Sequence, residues 1–288
     1  MGRKLKIVFT DSGLGGIVVM ADFVKRLKQE QISADVIFFN AQLSREMGYK
    51  SMPEKEQNRV FNKVLESIHT RYHPDIIAIA CNTLSVVYFR TQFSQNNPQK
   101  VLSIIDVGKT LIASATDNPI IAVAMPTTID SKIYNTGDKH FISIASDVQL
   151  PDAIENAHTE KIATYLEQIF SQIKVVLQEK NSINIPASLF LGCTHFPIIK
   201  AQFLDKAKQK GVKIAQILNP NTQFSKSIIE EINTKHTNFN TEKNTQVAVI
   251  SRTKFQETEI KNMSNILAQD SEDLAQALRD YTWEIHLF

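Results

Sequence analysis

Cys81, in "IAIACNTLSVV", and Cys193, in "LFLGCTHFPII", are the two thiols of a 288-residue chain and stand in nearly the same local setting. Each follows an apolar run of strand length and opens onto a polar residue and a helix-like stretch. A thiol at the start of a helix, beside donors such as Asn82–Thr83 or Thr194–His195, has its thiolate favoured by the helix dipole and by hydrogen bonds. Two such thiols addressing one carbon can serve as base and acid. Taken singly, each reads as a buried core cysteine, since cysteine is among the most buried residue types. Their repetition in matched contexts favours the chemical reading. A zinc site needs more soft ligands, and only His195 of the seven histidines adjoins a cysteine.

A third stretch, "DSGLGG" at 11–16, has the glycines of a tight strand-to-helix turn, which let a backbone approach an anionic ligand. It is not a dinucleotide fingerprint, because Val18 stands where the last glycine would be, and no Lys-Ser/Thr follows to make a phosphate loop. The plain alternative is a turn with no catalytic part.

Positioning such residues is the task of an alternating pattern. "LKIVFTD", "ADVIFFN" and "DIIAIA" read as strands, each followed by an amphipathic stretch, and the rhythm starts afresh after "VLSIIDVG" with "PIIAVAMP", "HFISIAS", "ASLFLGC" and "KIAQILN". This predicts an α/β fold of two similar domains, each a mostly parallel sheet flanked by helices. The expected division is 1–106 plus 223–288 for the domain carrying Cys81, and 107–222 for that carrying Cys193. Functional residues in such sheets gather at the carboxyl ends of strands. The two cysteines, far apart in sequence, are therefore expected to meet across an interdomain cleft.

Composition bounds the function. At 43% hydrophobic and 22% charged the chain has an ordinary globular make-up, and a net charge of +2 with scattered lysines gives no basic stripe for a nucleic-acid partner. "KIVF" is interrupted by Thr10 and Asp11 too early for a signal-peptide core, and no uncharged apolar stretch reaches the ~18–20 residues of a membrane span. The expectation is a cytoplasmic protein whose thiols stay reduced. The Lys/Asn/Gln-rich stretch at 233–246 reads as a solvated loop.

"FTDSGLGG", "ACNTLS", "AMPTTIDSKIY" and "LGCTHFPII" occur in the order and at the approximate spacing found in the aspartate/glutamate racemase family, which the chain resembles over roughly residues 5 to 230, most closely in its glutamate racemases. The resemblance implies two pseudo-symmetric α/β domains, an amino-acid substrate held between them, no metal and no pyridoxal phosphate. It implies that one cysteine removes the Cα proton while the other returns one to the opposite face, interconverting L- and D-glutamate for peptidoglycan. By motif position, Cys81 and Cys193 take those roles, and Asp11 and His195 assist proton transfer. Ser12, Gly48, Asn82, Thr83, Thr128 and Thr194 match substrate-binding positions, and Glu155 in "LPDAIE" matches a glutamate near the second cysteine. The family's habit also implies a homodimer. For His195 the alternative is a plain helix N-cap, since Pro197 reads as a helix start.

Departures from the family pattern bear on the substrate. "FFNAQLSREMGYKS" has Asn40 where the family has aspartate, and Glu46–Met47 where it has Pro-Tyr, with Gly48 retained and Tyr49 a displaced candidate for the tyrosine. A Glu46 carboxylate facing the substrate would repel a substrate carboxylate, whereas one in solvent would not. Ser146–Asp147 and Asp106–Val107 replace the family's Cys-Pro and Glu-Pro. Two alternatives therefore stand beside glutamate racemisation. One is the same chemistry on aspartate, another amino acid, a hydantoin or a small diacid; the other is a catalytically weak binding protein.

Overall fold

The computed structural model describes residues 4–45, 47–97, 99–115, 119–137, 140–235 and 245–288. Its chain divides into two compact units, Met1–Ile104 with Asn221–Phe288, and Ile105–Pro220.

The first unit opens with β1 (Leu5–Asp11), α1 (Gly15–Gln29), β2 (Ala34–Asn40), α2 (Glu54–Tyr72), β3 (Ile76–Ile79), α3 (Asn82–Tyr88), α4 (Gln92–Asn96) and β4 (Val101–Ser103). The second carries α5 (Ile104–Ser114, its first residue still in the first unit), β5 (Ile120–Ala124), α6 (Pro126–Asp130), β6 (Phe141–Ala145), α7 (Leu150–Glu155), α8 (Thr159–Glu179), β7 (Ala187–Gly192), α9 (Lys200–Lys210) and β8 (Ile214–Leu218). The chain then returns to the first unit as α10 (Pro220–Lys235, its first residue still in the second unit), β9 (Gln246–Ser251), α11 (Glu257–Leu267), α12 (Glu272–Arg279) and β10 (Thr282–Trp283).

Among the described residues the first sheet has the strand order β10-β9-β2-β1-β3-β4 and the second β6-β5-β7-β8, with every pairing parallel. The central strands β1, β3, β5 and β7 are near-continuous apolar runs buried along most of their length, as strands of a covered parallel sheet are, whereas β6 alternates buried and exposed residues and β8 is half exposed. β3, "IIAI", is buried at all four positions. Val8, Phe39, Phe61, Leu65, Ile77 and Leu84 pack into one core of the first unit, and Cys81 joins its edge. Ile121, Val123, Ile169, Phe170, Leu189 and Phe203 form the core of the second, with Cys193 at its margin. Each such side chain contributes about 1.5–3 kcal/mol by leaving water, which fixes the strand ends that carry the polar residues. The apolar run 101–105 does not continue as one strand: it splits into three-residue β4 and the start of α5. No helix among the described residues is long and apolar enough to cross a membrane.

Candidate functional site

In the first unit, β1 and β3 are adjacent and parallel, so their carboxyl ends bring residues 10–12 beside 80–83. Cys81 caps α3 with an extended backbone, and its Sγ accepts the Leu84 N–H at 3.4 Å. Ser12 Oγ lies 3.3 Å from the same sulfur, either group able to donate, and the Ser12 N–H donates to Asp11 Oδ1 at 2.5 Å. Asn82 and Thr83, the first residues of α3, are buried beside it.

The thiolate expected at this helix start does not prevail. Burial pushes the Cys81 thiol well up from its usual range, and the Asp11 carboxylate adds to the rise; the Ser12 hydroxyl and the Leu84 and Ser12 amides pull the other way and do not offset it. Cys81 is thus held as a thiol.

"DSGLGG" acquires a packing reason. A Cβ on Gly16 would sit 2.7 Å from both Cβ and Oδ2 of Asp11 and 3.0 Å from Ala80 Cβ. The glycine makes room for the Asp11 carboxylate beside the strand that leads to Cys81. Alanine would gain about 0.5–1 kcal/mol in helix preference but lose about 1–3 kcal/mol to overpacking. Gly16→Ala is therefore expected to lower the urea midpoint, and a midpoint at or above that of the wild type would show that Asp11 moves freely.

In the second unit, β7 delivers Cys193, Thr194 and His195 into a 3-10 turn at Phe196–Ile199, rather than the α-helix expected directly after the cysteine. Gly192 before them lies in register with Ala124 of β5, where a Cβ would come within 2.8 Å of the alanine's. His195 does hold the N-cap position of that turn, yet its ring makes no cap bond. Instead Nδ1 lies 3.7 Å from Cys193 Sγ, and Nε2 lies 2.6 Å from Oε1 of Glu155, the last residue of α7. Burial acts to lower the ring's pKa; the bonds to Cys193 and Glu155, and their charges, outweigh it and raise it well above the usual histidine value. A protonated ring between a sulfur and a carboxylate supplies the counter-ion that a thiolate at Cys193 needs. Thr128 in α6 and Thr194 are buried near the carboxyl ends of the adjacent strands β5 and β7.

Of the residues that the family resemblance implies, the fold brings Asp11, Ser12 and Cys81 together in one unit and Glu155, His195 and Cys193 together in the other. Gly48, a third candidate element, has an extended backbone open to any residue, and its carbonyl accepts from Ser51. Glu46 lies outside the described residues. Met47 is 55% exposed, whereas Tyr49 is buried in the same apolar cluster as Cys81. Asn40 is spent internally: Nδ2 donates to Ser251 Oγ at 3.0 Å and Oδ1 accepts the Gln42 N–H at 3.2 Å. Ser146 donates to Met125 Sδ, the Asp147 carboxylate closes a turn on the Gln149 N–H, and Asp106 is exposed. Among the described residues no three His, Cys, Asp or Glu side chains group as metal ligands.

No protein-family model matches the chain. A curated glutamate racemase of Oenococcus oeni is 25% identical over 239 residues, 77% of this chain and 82% of the relative. One of Neisseria meningitidis is 28% identical over 207 residues, 69% and 72% of the two chains. The crystal structure of the Francisella tularensis glutamate racemase in complex with D-glutamate shares the fold with a TM-score of 0.71, at 21% identity, over 93% of this chain and 94% of that one.

Proposed function

We infer that this chain, which belongs to the aspartate/glutamate racemase family, is a cytosolic amino-acid racemase that interconverts L- and D-glutamate without a cofactor and supplies D-glutamate to peptidoglycan. The observation that carries the reading is that each of the two cysteines ends a central parallel strand with its own proton-handling partners, Asp11 and Ser12 for Cys81, and His195 and Glu155 for Cys193. Relatives named glutamate racemase, one of them solved with D-glutamate, support the substrate. We extend the family's homodimer to this chain as part of the same reading.

Inversion at Cα needs a base on one face of the planar carbanion and an acid on the other. In one direction a Cys193 thiolate, balanced by protonated His195, takes the Cα proton and becomes a thiol. The Cys81 thiol gives its proton to the opposite face and is left as the thiolate. The reverse direction exchanges the two roles, and Asp11 and His195 return the sulfurs to their starting forms. Ser12, Asn82, Thr83, Thr128 and Thr194 supply the hydroxyl, amide and backbone donors that carboxylates require once out of water.

The same chemistry on another amino acid or a small diacid is the second reading. It is favoured by Asn40, which is locked to Ser251 where the family pattern has an aspartate, and by the outward Met47. Incubation with L-glutamate in D₂O separates the possibilities. The expected result is deuterium at Cα appearing as optical rotation decays. Exchange with aspartate but not glutamate selects the second reading, and no exchange with any common amino acid leaves a binding protein.

A further inference from the structure

The connection from β2 to α2 leaves the sheet beside Asp11: Asn40 pairs with Asp11 in register, and the Ala41 N–H donates to the Asp11 carbonyl at 2.8 Å. The described residues among 41–48 form neither helix nor strand, and such a segment keeps one position only where something outside it does the holding. One stretch of the same unit, residues 251–259, does so. Asn40 Nδ2 donates to Ser251 Oγ at 3.0 Å, Thr253 Oγ1 to the Gln42 carbonyl at 3.1 Å, and Arg45 Nε to the Lys254 carbonyl at 3.1 Å. The Arg45 guanidinium also meets the Glu259 carboxylate with two prongs, Nη1 on Oε1 at 3.0 Å and Nη2 on Oε2. Glu259 is 3% exposed, and its Oε2 takes the Gln256 N–H at 2.7 Å as part of the capping box of α11. The helix end thus fixes the carboxylate, and the carboxylate fixes the guanidinium in its plane. Arg45 lies in the stretch where the chain departs from the family pattern, and Glu259 lies beyond residue 230, where the resemblance ends.

We propose that Arg45 is a positioning residue for the substrate: its fork on Glu259 holds the β2–α2 connection in the arrangement that takes the amino acid at the carboxyl end of the sheet, beside Asp11. The restraint acts through the backbone. Its loss frees the segment from residue 41 onward, and with it the peptide bonded to Asp11 and the approach to Gly48. Charge alone does not suffice, because a lysine ammonium is a point charge that cannot engage both carboxylate oxygens as the planar guanidinium does. The assignment rests on the racemase reading for what is bound, and on the bonds to residues 251–259 for the clamp itself.

Arg45→Met removes both the charge and the fork, and two measurements on the full chain read the effect. The bonded amides of Ala41, Gln42 and Met47 are expected to exchange with D₂O about 10-fold faster than in the wild type, while those of β1 stay as slow. In racemisation of glutamate, or of whichever amino acid the wild type turns over, KM should rise about 10-fold with kcat within about threefold. Arg45→Lys, which keeps the cation without the fork, should lie between wild type and Arg45→Met in both measurements, and it keeps the test open where the methionine variant does not fold. Glu259→Gln combined with Arg45→Met should raise KM no further than Arg45→Met alone, since both remove the same contact. Unchanged amide exchange would overturn the clamp, and faster exchange with unchanged KM would overturn its role toward the substrate. A wild type that exchanges no Cα hydrogen of any amino acid refutes the racemase reading, and the amide exchange of Arg45→Met still decides whether the clamp exists.

Discussion

Cys81→Ala and Cys193→Ala are each expected to lower racemisation of glutamate by at least about 10³-fold, within the range by which positioned acids and bases contribute. The double variant should be no slower than either single one. Inversion fails once either the base or the acid is missing, so the losses do not add. Deuterium wash-in will tell the singles apart. Each variant keeps one sulfur, which can still remove and return a proton on its own face, so each should exchange the Cα hydrogen of one enantiomer only, and the two variants should choose opposite enantiomers. The residual exchange of one variant should also depend on pH. Cys193→Ala leaves Cys81 as the sole base, and burial together with the Asp11 carboxylate holds that sulfur as a thiol. Its residual exchange should be feeble at neutral pH and climb as pH is raised toward the elevated thiol pKa. Cys81→Ala leaves Cys193 with His195 at 3.7 Å and Glu155 behind it as its proton-handling partners. Full racemisation by either variant, or exchange of the same enantiomer by both, would refute the two-base assignment.

The alternating strand and helix pattern from Leu5 to Leu218 is legible because its central strands are apolar runs buried along most of their length, bounded by residues such as Asp11, Asn40 and Gly192. Where an apolar run changes element midway, as "VLSII" does between Ser103 and Ile104, hydrophobicity alone carries no mark of the junction. Strand order was not legible either. β9 pairs with β2 from across more than half the chain, and parallel partners leave no turn signature between them. The cysteines could be singled out from their repeated setting. Their partners could not, because Ser12 reaches Cys81 and Glu155 reaches His195 through the sheet rather than through local spacing; only the family resemblance pointed to them. The direction of the Cys81 pKa was misjudged for a related reason. Helix-end donors are visible in sequence, but the depth of burial and the orientation of the Asp11 carboxylate are not. The burial of Tyr49 is not legible from "REMGYKS", because the ring packs against Phe61, which is supplied by α2.

Replacing Glu155 by glutamine is expected to lower kcat by about 10²-fold and to erase a pH-dependent part of the stability. Glu155 acts as a positioning residue: with its Oε1 2.6 Å from Nε2 of His195, it keeps the proton on that nitrogen and turns Nδ1 toward Cys193. Burial alone would lower the pKa of the ring, but Cys193 and Glu155 together carry it well above 6.5. A histidine whose pKa is raised on folding binds its proton more tightly in the native state than in the unfolded one. Its contribution is therefore complete below the unfolded value near 6.5 and is lost as pH rises through the folded value. Glutamine keeps the shape and an acceptor oxygen but not the charge, so the share of the rise owed to the carboxylate disappears. The gap in unfolding free energy between wild type and Glu155→Gln should be about 1–3 kcal/mol near pH 6.5 and should narrow above neutrality as His195 deprotonates. A carboxylate that merely packed against the ring would give a gap of constant size across that window. Urea titrations at intervals between pH 6 and 9 distinguish the two cases, and a constant gap accompanied by unchanged kcat would remove Glu155 from the proton-handling group.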